Sequence, residues 1–307
     1  MFIKHPSSSK VIKIKLIKKR VSILRQFKTI LKSIIIKARG NIPHKGPDFF
    51  ILGATRAGTT YLHHLLKSHP DIFMPKSKEL HYFNHDGKYN DKLKGYLPLF
   101  DGYNNEKAVG EATPLYCEKG TYFDQSGKID FFRDETTIKR IKKHYPNAKL
   151  IISLRDPLTR IISLQKKNYF QGKVKTKLSE EIRNELQGQS RLKLLYRNRF
   201  DIHLEEIFKY FPKESMHILV FEEWIDDIDN SMNTLMNFLD LPHLENWPDM
   251  PDKRNTASEY KRENIKKDFS DDPIDMSEDL RNLIIKELSP SRVYLEDLLG
   301  RPLPWGQ

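Results

Sequence analysis

The chain has 307 residues, of which 38% are apolar and 11% are aromatic, and this excludes an intrinsically disordered protein because the apolar content suffices for a large packed core. Its formal net charge is +12, but residues 1–47 hold 13 of the 53 Lys and Arg residues and no Asp or Glu, which leaves 40 basic against 41 acidic residues in the rest. The basic-surface criterion for nucleic-acid binding therefore fails outside residues 1–47, and we expect no nucleic-acid partner.

The first predicted element is a basic amphipathic helix at residues 17–36. Its apolar residues recur at helical spacing, and its Lys and Arg residues lie mostly between them. Such a helix can bind an anionic membrane surface, where each basic residue contributes about 1 kcal/mol, or it can pack its apolar face on the rest of the protein. Both placements stay open. Residues 39–48, which contain Gly and Pro, predict a linker, so we divide the chain into an extension with linker, residues 1–47, and a second domain, residues 48–307.

Strands and helices alternate in the predicted second domain. Apolar runs of strand length occur at 48–54, 108–114, 149–154 and 216–224, and helical patterns occur at 59–68, 136–145, 199–211, 231–241 and from Pro157 onward. Residues 222–224 at the end of the fourth run are typical of a structural turn. The alternation favours an α/β fold, a P-loop-like parallel β-sheet flanked by helices on both faces. Ligands of such sheets bind beyond the carboxyl ends of the strands.

The residue content excludes several kinds of site and segment. Cys117 is the only cysteine, so no intrachain disulfide can form, and neither a Cys cluster nor an HExxH helix is present to bind a metal. No run approaches the ~18 apolar residues of a membrane-spanning helix, and no apolar core of ~7 to 15 residues follows the basic start as in a signal peptide. We therefore expect no metal and a cytoplasmic location, membrane-peripheral if residues 1–47 bind lipid.

The first predicted strand is followed by a glycine loop, residues 53–60, with the sequence GATRAGTT. It matches the phosphate-binding pattern GxxxxGK(S/T) at both glycines and at Thr60, but Thr59 occupies the lysine position. Glycines let backbone N–H groups approach an anion, and the N-terminus of the following helix favours negative charge. The loop is therefore predicted to bind an anion, with its positive charge at Arg56. A glycine turn with a purely geometric role is the alternative.

A second candidate phosphate-binding motif follows the 149–154 strand. Arg155 stands at the end of that strand, Asp156 and Pro157 are typical of a helix start, and Ser163 lies on the helix. The planar fork of an arginine suits a phosphate, and a serine hydroxyl can add a hydrogen bond. The alternative for Arg155 is a structural salt bridge to a nearby carboxylate.

The two motifs together resemble the sulfotransferases that use 3′-phosphoadenosine 5′-phosphosulfate (PAPS). The segment GATRAGTTYL is similar to their 5′-phosphosulfate loop, and LRDPLTRIIS is similar to their 3′-phosphate motif. KELHYF (78–83) and GEATPLY (110–116) resemble the catalytic-glutamate and acceptor-side segments of the heparan-sulfate and bacterial carbohydrate branch, and YLEDLLGRPLPWG resembles the family's C-terminal helix. The resemblance runs from about residue 48 to the C-terminus, which implies a sulfotransferase catalytic domain at 48–307.

The resemblance implies transfer of a sulfuryl group from PAPS, as co-substrate, to a hydroxyl or amine of an acceptor by in-line displacement, without a metal. Arg56 stands where the commonest family pattern has lysine. Because arginine is almost never deprotonated, its expected role is electrostatic stabilisation of the leaving phosphate. The residues expected to bind PAPS are Arg56, Ala57, Gly58, Thr59, Thr60, Arg155 and Ser163, with Lys261 and Arg262 of a late basic loop as candidates for the 3′-phosphate.

By the same resemblance, Glu79 in KELHYF is the expected general base for the acceptor, and His81 is expected to assist it. If this segment is extended, residues 79 and 81 face the same side, so the imidazole can orient the carboxylate or the acceptor. The heparan-sulfate branch has an aspartate where this chain has Asn84, which leaves a third polar partner open.

Glu111 and Tyr116 in GEATPLY are expected to line the acceptor cleft, with a role in the turn and its packing as the alternative. The heparan-sulfate branch has a lysine, which contacts sulfated substrate and donor, where this chain has Ala112. Its loss argues against a heavily sulfated glycosaminoglycan. The resemblance to the carbohydrate branch implies a carbohydrate acceptor, either a glycan or a glycolipid.

Two other functions compete with the sulfotransferase. A P-loop kinase would need Mg²⁺, a lysine at the end of the glycine loop and an acidic residue that closes a strand. Asp156 could be that acid, but Thr59 removes the lysine. A membrane-surface or nucleic-acid binding module would depend on residues 1–47 alone, because the rest of the chain is near neutral.

Overall fold

The computed structural model describes residues 46–131, 134, 136–248 and 272–306. The predicted extension up to residue 45, with its amphipathic helix, lies outside these residues, and so do Lys261 and Arg262. The described residues include both predicted phosphate-binding motifs and the segments that carry Glu79 and Glu111.

A parallel β-sheet forms the centre of the described structure. The strands are β1 Phe49–Gly53, β2 Ile72–Phe73, β3 Ala108–Ala112, β4 Tyr122–Phe123, β5 Ile129–Asp130, β6 Lys149–Leu154 and β7 Met216–Val220. Five of them form one sheet in the order β2-β3-β1-β6-β7, and each adjacent pair is parallel, whereas β4 and β5 form a separate antiparallel pair. The predicted parallel sheet is confirmed, with β1 at its centre.

Helices cover both faces of this sheet, as the sequence predicts. They are α1 Thr59–Ser68, α2 Thr137–His144, α3 Pro157–Phe170, α4 Leu178–Leu186, α5 Phe200–Phe208, α6 Phe221–Asp226, α7 Ile228–Leu239 and α8 Glu278–Leu299. Short 3₁₀ turns lie at Leu97–Phe100, Tyr196–Asn198 and Lys213–Ser215. Among the described residues, no helix is both long enough and apolar enough to cross a bilayer.

The side chains of β1 alternate between the two halves of the core. Phe49 and Ile51 pack with α1 and α7 on one face, whereas Phe50 and Leu52 pack with α2 and α5 on the other. All four side chains are fully buried, as expected for a central parallel strand covered on both faces. Because β1 is anchored on both faces, the loop that follows Gly53 begins from a rigid point.

The last strand is shorter than the apolar run predicts. β7 ends at Val220, and residues 222–224, which we expected to form a turn, belong to the short helix α6. Glu222 and Glu223 lie in its first turn, where negative charge is favourable. The helix places Trp224 in the core, where it is 1% exposed, beneath the glycine loop.

Candidate active site

The glycine loop, residues 53–60, turns sharply from β1 into α1. Gly58 caps α1 with a left-handed φ of 76°, which favours glycine. A Cβ at this position would lie 2.6 Å from ring atoms of both Phe221 and Trp224. Glycine is therefore required here both by the backbone conformation and by the aromatic side chains packed beneath the loop.

Three side chains from outside the loop fix its backbone. The Ser153 hydroxyl donates to the Ala57 carbonyl at 2.6 Å, and the Trp224 indole N–H donates to the same hydroxyl at 2.9 Å. The Nε of the fully buried Arg160 donates to the Thr55 carbonyl at 2.7 Å. These bonds occupy carbonyl groups on the inner side of the loop and hold its shape.

The N–H groups of Gly58, Thr59 and Thr60 donate to no acceptor within the described part of the chain. They lie at the N-terminus of α1, whose first turn carries no acidic residue. Unpaired N–H groups at a helix start attract an anion, and the helix dipole adds to the attraction. The local chemistry therefore fits the 5′-phosphosulfate that the sequence motif implies.

The second motif meets the glycine loop directly. The Nε of Arg56 donates to the Ser163 Oγ at 2.8 Å, and a terminal nitrogen of Arg155 donates to the Arg56 carbonyl at 3.3 Å. The guanidinium of Arg155 also stacks 4.6 Å over the centroid of the Phe221 ring. The structure thus brings the two predicted phosphate-binding motifs together at the carboxyl ends of β1 and β6.

The alternative reading of Arg155, a structural salt bridge, has a partner in Glu222, but the contact is loose. The Arg155 Nε lies 3.9 Å from a Glu222 carboxylate oxygen and has no hydrogen-bond partner among the described residues. That carboxylate accepts shorter bonds from the Asp156 N–H at 3.2 Å and the Trp305 indole N–H at 3.0 Å. The donor capacity of Arg155 therefore remains largely unused.

Asp156 acts as the cap of α3. Its carboxylate accepts a hydrogen bond from the Thr159 N–H at 2.7 Å, and Pro157 occupies the first turn, as the sequence predicts. A kinase on this fold would need a carboxylate at the end of a strand that is available to hold Mg²⁺. The position of Asp156 is thus explained by helix capping without a metal, and the glycine loop itself lacks the lysine that a kinase needs.

The Glu79 loop, residues 78–84, carries the expected base and its helper. A Glu79 carboxylate oxygen lies 3.7 Å from the His81 Nε2, and the His81 Nδ1 lies 3.3 Å from the Asn84 Oδ1. The segment does not meet the condition of being extended, because Glu79 and His81 have left-handed φ values of 60° and 49°. The side chains meet because the loop is curled. Asn84 provides the third polar contact that the sequence left open.

Its neighbours keep the Glu79 carboxylate ionised. His81 is the largest influence, and together with Lys78 and Lys167 it lowers the pKa of Glu79 to about 2, against the opposing effect of burial. The carboxylate side chain is 49% exposed, so an acceptor can reach it. An ionised, accessible carboxylate can accept a hydrogen bond from an acceptor hydroxyl. Its low pKa makes it a weak base in the free protein, and it becomes a stronger one where its cationic neighbours are neutralised or displaced.

Glu111 and Tyr116 lie beneath the Glu79 loop, and each is 1% exposed. The Tyr116 hydroxyl accepts hydrogen bonds from the N–H groups of Tyr82 and Phe83, at 2.9 and 3.3 Å. Glu111 accepts hydrogen bonds from Thr113 and from another buried tyrosine, and burial raises the pKa of Glu111. Neither side chain presents surface to an acceptor in this structure. Tyr116 holds the backbone of the loop, and Glu111 bonds neighbouring side chains.

Two lysines near the site, Lys78 and Lys167, are not among the residues expected from the sequence motifs. The Lys78 ammonium donates to the Thr60 Oγ1 at 3.0 Å and lies 3.4 Å from a Glu79 carboxylate oxygen. Lys167 lies one helical turn beyond Ser163 on α3, and its side chain forms no hydrogen bond or ion pair with a described residue. Burial, followed by the charge of Arg56, lowers the pKa of Lys167 to about 8. The i, i+4 spacing from Ser163 could have indicated Lys167. No sequence signal shows that Lys78 reaches back to the glycine loop.

Comparisons with known proteins extend over most of the chain. The family model for the sulfotransferase domain matches residues 46–285. The crystal structure of a sulfotransferase from Alicyclobacillus acidocaldarius superposes with a TM-score of 0.64 at 24% identity, covering 84% of this chain and 98% of that chain. This structural likeness confirms the α/β fold.

Several proteins with similar sequences are named as sulfotransferases. The membrane-associated sulfotransferase kil1 of Dictyostelium discoideum is 34% identical over 120 residues, which cover 38% of this chain and 22% of that protein. The heparan sulfate glucosamine 3-O-sulfotransferase 5 of Homo sapiens is 26% identical over 204 residues, which cover 64% of this chain and 54% of that protein. The carbohydrate sulfotransferase 15 of Mus musculus is 24% identical over 271 residues, which cover 70% of this chain and 47% of that protein.

The chain thus spans only part of the length of these relatives. The family match nevertheless includes the glycine loop, the Glu79 loop and the Arg155 motif, and it confirms the resemblance inferred from those motifs. On this evidence the chain belongs to the sulfotransferase family.

Proposed function

We propose that the protein transfers a sulfuryl group from PAPS to a hydroxyl, or an amine, of a carbohydrate acceptor. The observation that carries the proposal is the hydrogen bond from Arg56 to Ser163, which joins the two anion-binding motifs. A nucleotide with a phosphate at its 3′ position and a phosphosulfate at its 5′ position needs cations and N–H donors at two ends of one site. The glycine loop would hold the 5′ end, and Arg155 and Ser163 would hold the 3′-phosphate.

The residues present fit each part of an in-line displacement. The unpaired N–H groups of Gly58, Thr59 and Thr60 would bind phosphosulfate oxygens, and Arg56 would stabilise the charge that grows on the leaving phosphate. Glu79 would accept the proton of the acceptor hydroxyl, with His81 orienting its carboxylate. The chemistry asks mainly for alignment and charge stabilisation, and PAPS supplies the activated sulfuryl group.

A carbohydrate acceptor is proposed because two of the relatives are named as heparan sulfate and carbohydrate sulfotransferases. Ala112, which stands where the heparan-sulfate branch has a lysine, favours a glycan or glycolipid with few sulfates of its own. Lys261 and Arg262 remain our candidates for additional contacts to the 3′-phosphate. The catalytic domain is proposed to span residues 48–307.

Residues 1–47 are proposed to contact an anionic membrane surface and to keep a cytoplasmic enzyme membrane-peripheral. Their 13 basic and no acidic residues support this proposal, and one relative is named as membrane-associated. The substitutions Lys18→Glu, Lys19→Glu and Arg20→Glu together should abolish co-sedimentation of the full chain with phosphatidylserine vesicles. Undiminished co-sedimentation of that variant would remove this role.

The direct test is transfer of label from radiolabelled PAPS to a panel of oligosaccharides, capsular polysaccharides and glycolipids. We expect a labelled acceptor whose formation needs no Mg²⁺ and is lost in Arg56→Ala. Transfer from γ-labelled ATP in the presence of Mg²⁺, with none from PAPS, would instead establish a kinase.

A further inference from the structure

Lys78 links the Glu79 loop to the N-terminus of α1. Its ammonium lies 3.0 Å from the Thr60 Oγ1, 3.3 Å from the Thr59 Oγ1 and 3.4 Å from a Glu79 carboxylate oxygen. The side chain is only 16% exposed. The ammonium therefore sits between the expected anion-binding loop and the expected base.

This position is unfavourable for a cation in the free protein. The N-terminus of α1 carries the positive end of the helix dipole, which repels an ammonium. Burial lowers the pKa of Lys78, although the charge of Glu79 partly opposes this effect. The Glu79 carboxylate is also shared with His81. The helix dipole and the burial both disfavour a charged ammonium at this position. An anion bound beside the ammonium would offset these unfavourable effects.

Lys78 also returns a positive charge to a place where the sequence pattern lacks one. Thr59 occupies the lysine position of the phosphate-binding pattern, and the Lys78 ammonium reaches its hydroxyl from a segment 19 residues away. Arg56, the cation of the loop itself, is turned toward Ser163 on α3. Lys78 therefore places a positive charge on the side of the glycine loop that faces Glu79.

We propose that Lys78 is a catalytic residue whose ammonium binds the sulfuryl oxygens of PAPS between the glycine loop and Glu79. This inference rests on the proposed function. Sulfuryl oxygens at this point would be contacted by the N–H groups at the start of α1 and by the Lys78 ammonium, while Glu79 faces the acceptor.

The step balances with Lys78 protonated throughout. The bond between sulfur and the bridging phosphate oxygen breaks, and its electron pair stays on the leaving phosphate. The acceptor oxygen forms the new bond to sulfur, and its proton passes to Glu79. Lys78 transfers its hydrogen bonds from Thr60 and Glu79 to the sulfuryl oxygens, which also removes one cationic neighbour from Glu79 and makes the carboxylate a better base.

The test compares two nucleotides that differ only in the sulfuryl group, so it needs no acceptor. Affinities of the full chain for PAPS and for 3′-phosphoadenosine 5′-phosphate (PAP) are measured by calorimetry for the wild type, Lys78→Met and Lys78→Arg. Lys76→Met is the matched control, because Lys76 lies two residues away and is exposed. We expect Lys78→Met to weaken PAPS binding by about tenfold or more, the effect of losing a hydrogen bond to a charged group.

The same variant should bind PAP within a factor of three of the wild type, which also shows that it is folded. Lys78→Arg should retain most of the PAPS affinity, and Lys76→Met should match the wild type. Equal losses for PAPS and PAP in Lys78→Met, or no loss for either, would overturn the role of Lys78. Failure of the wild type to bind PAP and PAPS at all would instead refute the proposed function, and with it this inference.

Discussion

The Nε of Arg56 donates a hydrogen bond of 2.8 Å to the Oγ of Ser163, although the two residues are 107 positions apart in the chain. One residue belongs to the glycine loop after β1, and the other lies on α3 after β6. β1 and β6 are neighbours in the parallel sheet, so their carboxyl ends bring the two segments to one place. We propose that this place binds a nucleotide with two anionic ends.

Arg155→Ala should weaken the binding of PAP by about 1.5 to 3 kcal/mol, because a hydrogen-bonded contact to a charged phosphate is lost. Calorimetric titration measures the change. Arg191→Ala is the control, since Arg191 is exposed and lies outside both sequence motifs. An unchanged dissociation constant in Arg155→Ala would remove Arg155 from the site and restore the structural salt bridge to Glu222 as its role.

Glu79→Gln should lower turnover by about 10²- to 10⁴-fold, the usual contribution of a general base, while the affinity for PAP stays near that of the wild type. The amide keeps the size of the side chain but cannot accept the proton. Steady-state kinetics with the best acceptor found, together with PAP titration, separate the two effects. Glu180→Gln, at an exposed position on α4, is the control. Full activity in Glu79→Gln would exclude the carboxylate as base.

His81→Ala should raise the pKa of Glu79 from about 2 toward its ordinary value of 4.5, because it removes the largest influence that lowers it. Burial, which raises the pKa, and Lys78 and Lys167, which lower it, act on this carboxylate in both proteins, so the difference between the two midpoints isolates the effect of His81. A lowered pKa keeps the carboxylate ionised at all pH values above it, and the variant therefore begins to lose that charge at a higher pH. Carbon-13 NMR of the Glu79 carboxyl measures both midpoints. Identical midpoints in the two proteins would show that His81 does not lower the pKa of Glu79.

Gly58→Ala and Gly188→Ala form a matched pair, because both glycines have a φ of 76°. A Cβ at position 188 meets no atom within 4 Å, whereas at position 58 it would lie 2.6 Å from Phe221 and Trp224. Both variants incur left-handed strain of roughly 1 to 2 kcal/mol, but only Gly58→Ala adds overpacking, of about 1 to 3 kcal/mol. Denaturant unfolding compares their free energies of unfolding. Equal losses of unfolding free energy in the two variants would show that the rings of Phe221 and Trp224 can move aside at little cost.

The fold could be predicted because its signals are local. The β-branched run of β6, the apolar run of β1 and the helical spacing of α1 each identify an element, and their alternation specifies a parallel sheet. The two predicted anion-binding motifs follow strands directly, so their meeting at one sheet edge was also predictable. The family match then confirms the assignment that the motifs suggested.

The arrangement around Glu79 could not be predicted, because it depends on contacts between distant residues. The left-handed φ values of Glu79 and His81 arise in a loop whose backbone is held from below by Tyr116, 33 and 34 residues away from the bonded N–H groups. Glu111 is 1% exposed and bonds the side chains of Tyr96 and Thr113, contacts that its sequence position does not indicate. Lys78 reads as an ordinary charged residue until the fold brings it to Thr60.

The central claim is that one site holds a nucleotide with a 3′-phosphate and a 5′-phosphosulfate. Calorimetry of the full chain with PAP and, separately, with ATP and Mg²⁺ tests it most directly. We predict that PAP binds without Mg²⁺ and more tightly than ATP with Mg²⁺, and that Ser163→Ala weakens the binding of PAP. Tighter binding of ATP with Mg²⁺ than of PAP would contradict the claim. An unchanged affinity for PAP when both Arg155 and Ser163 are replaced by alanine would also contradict it.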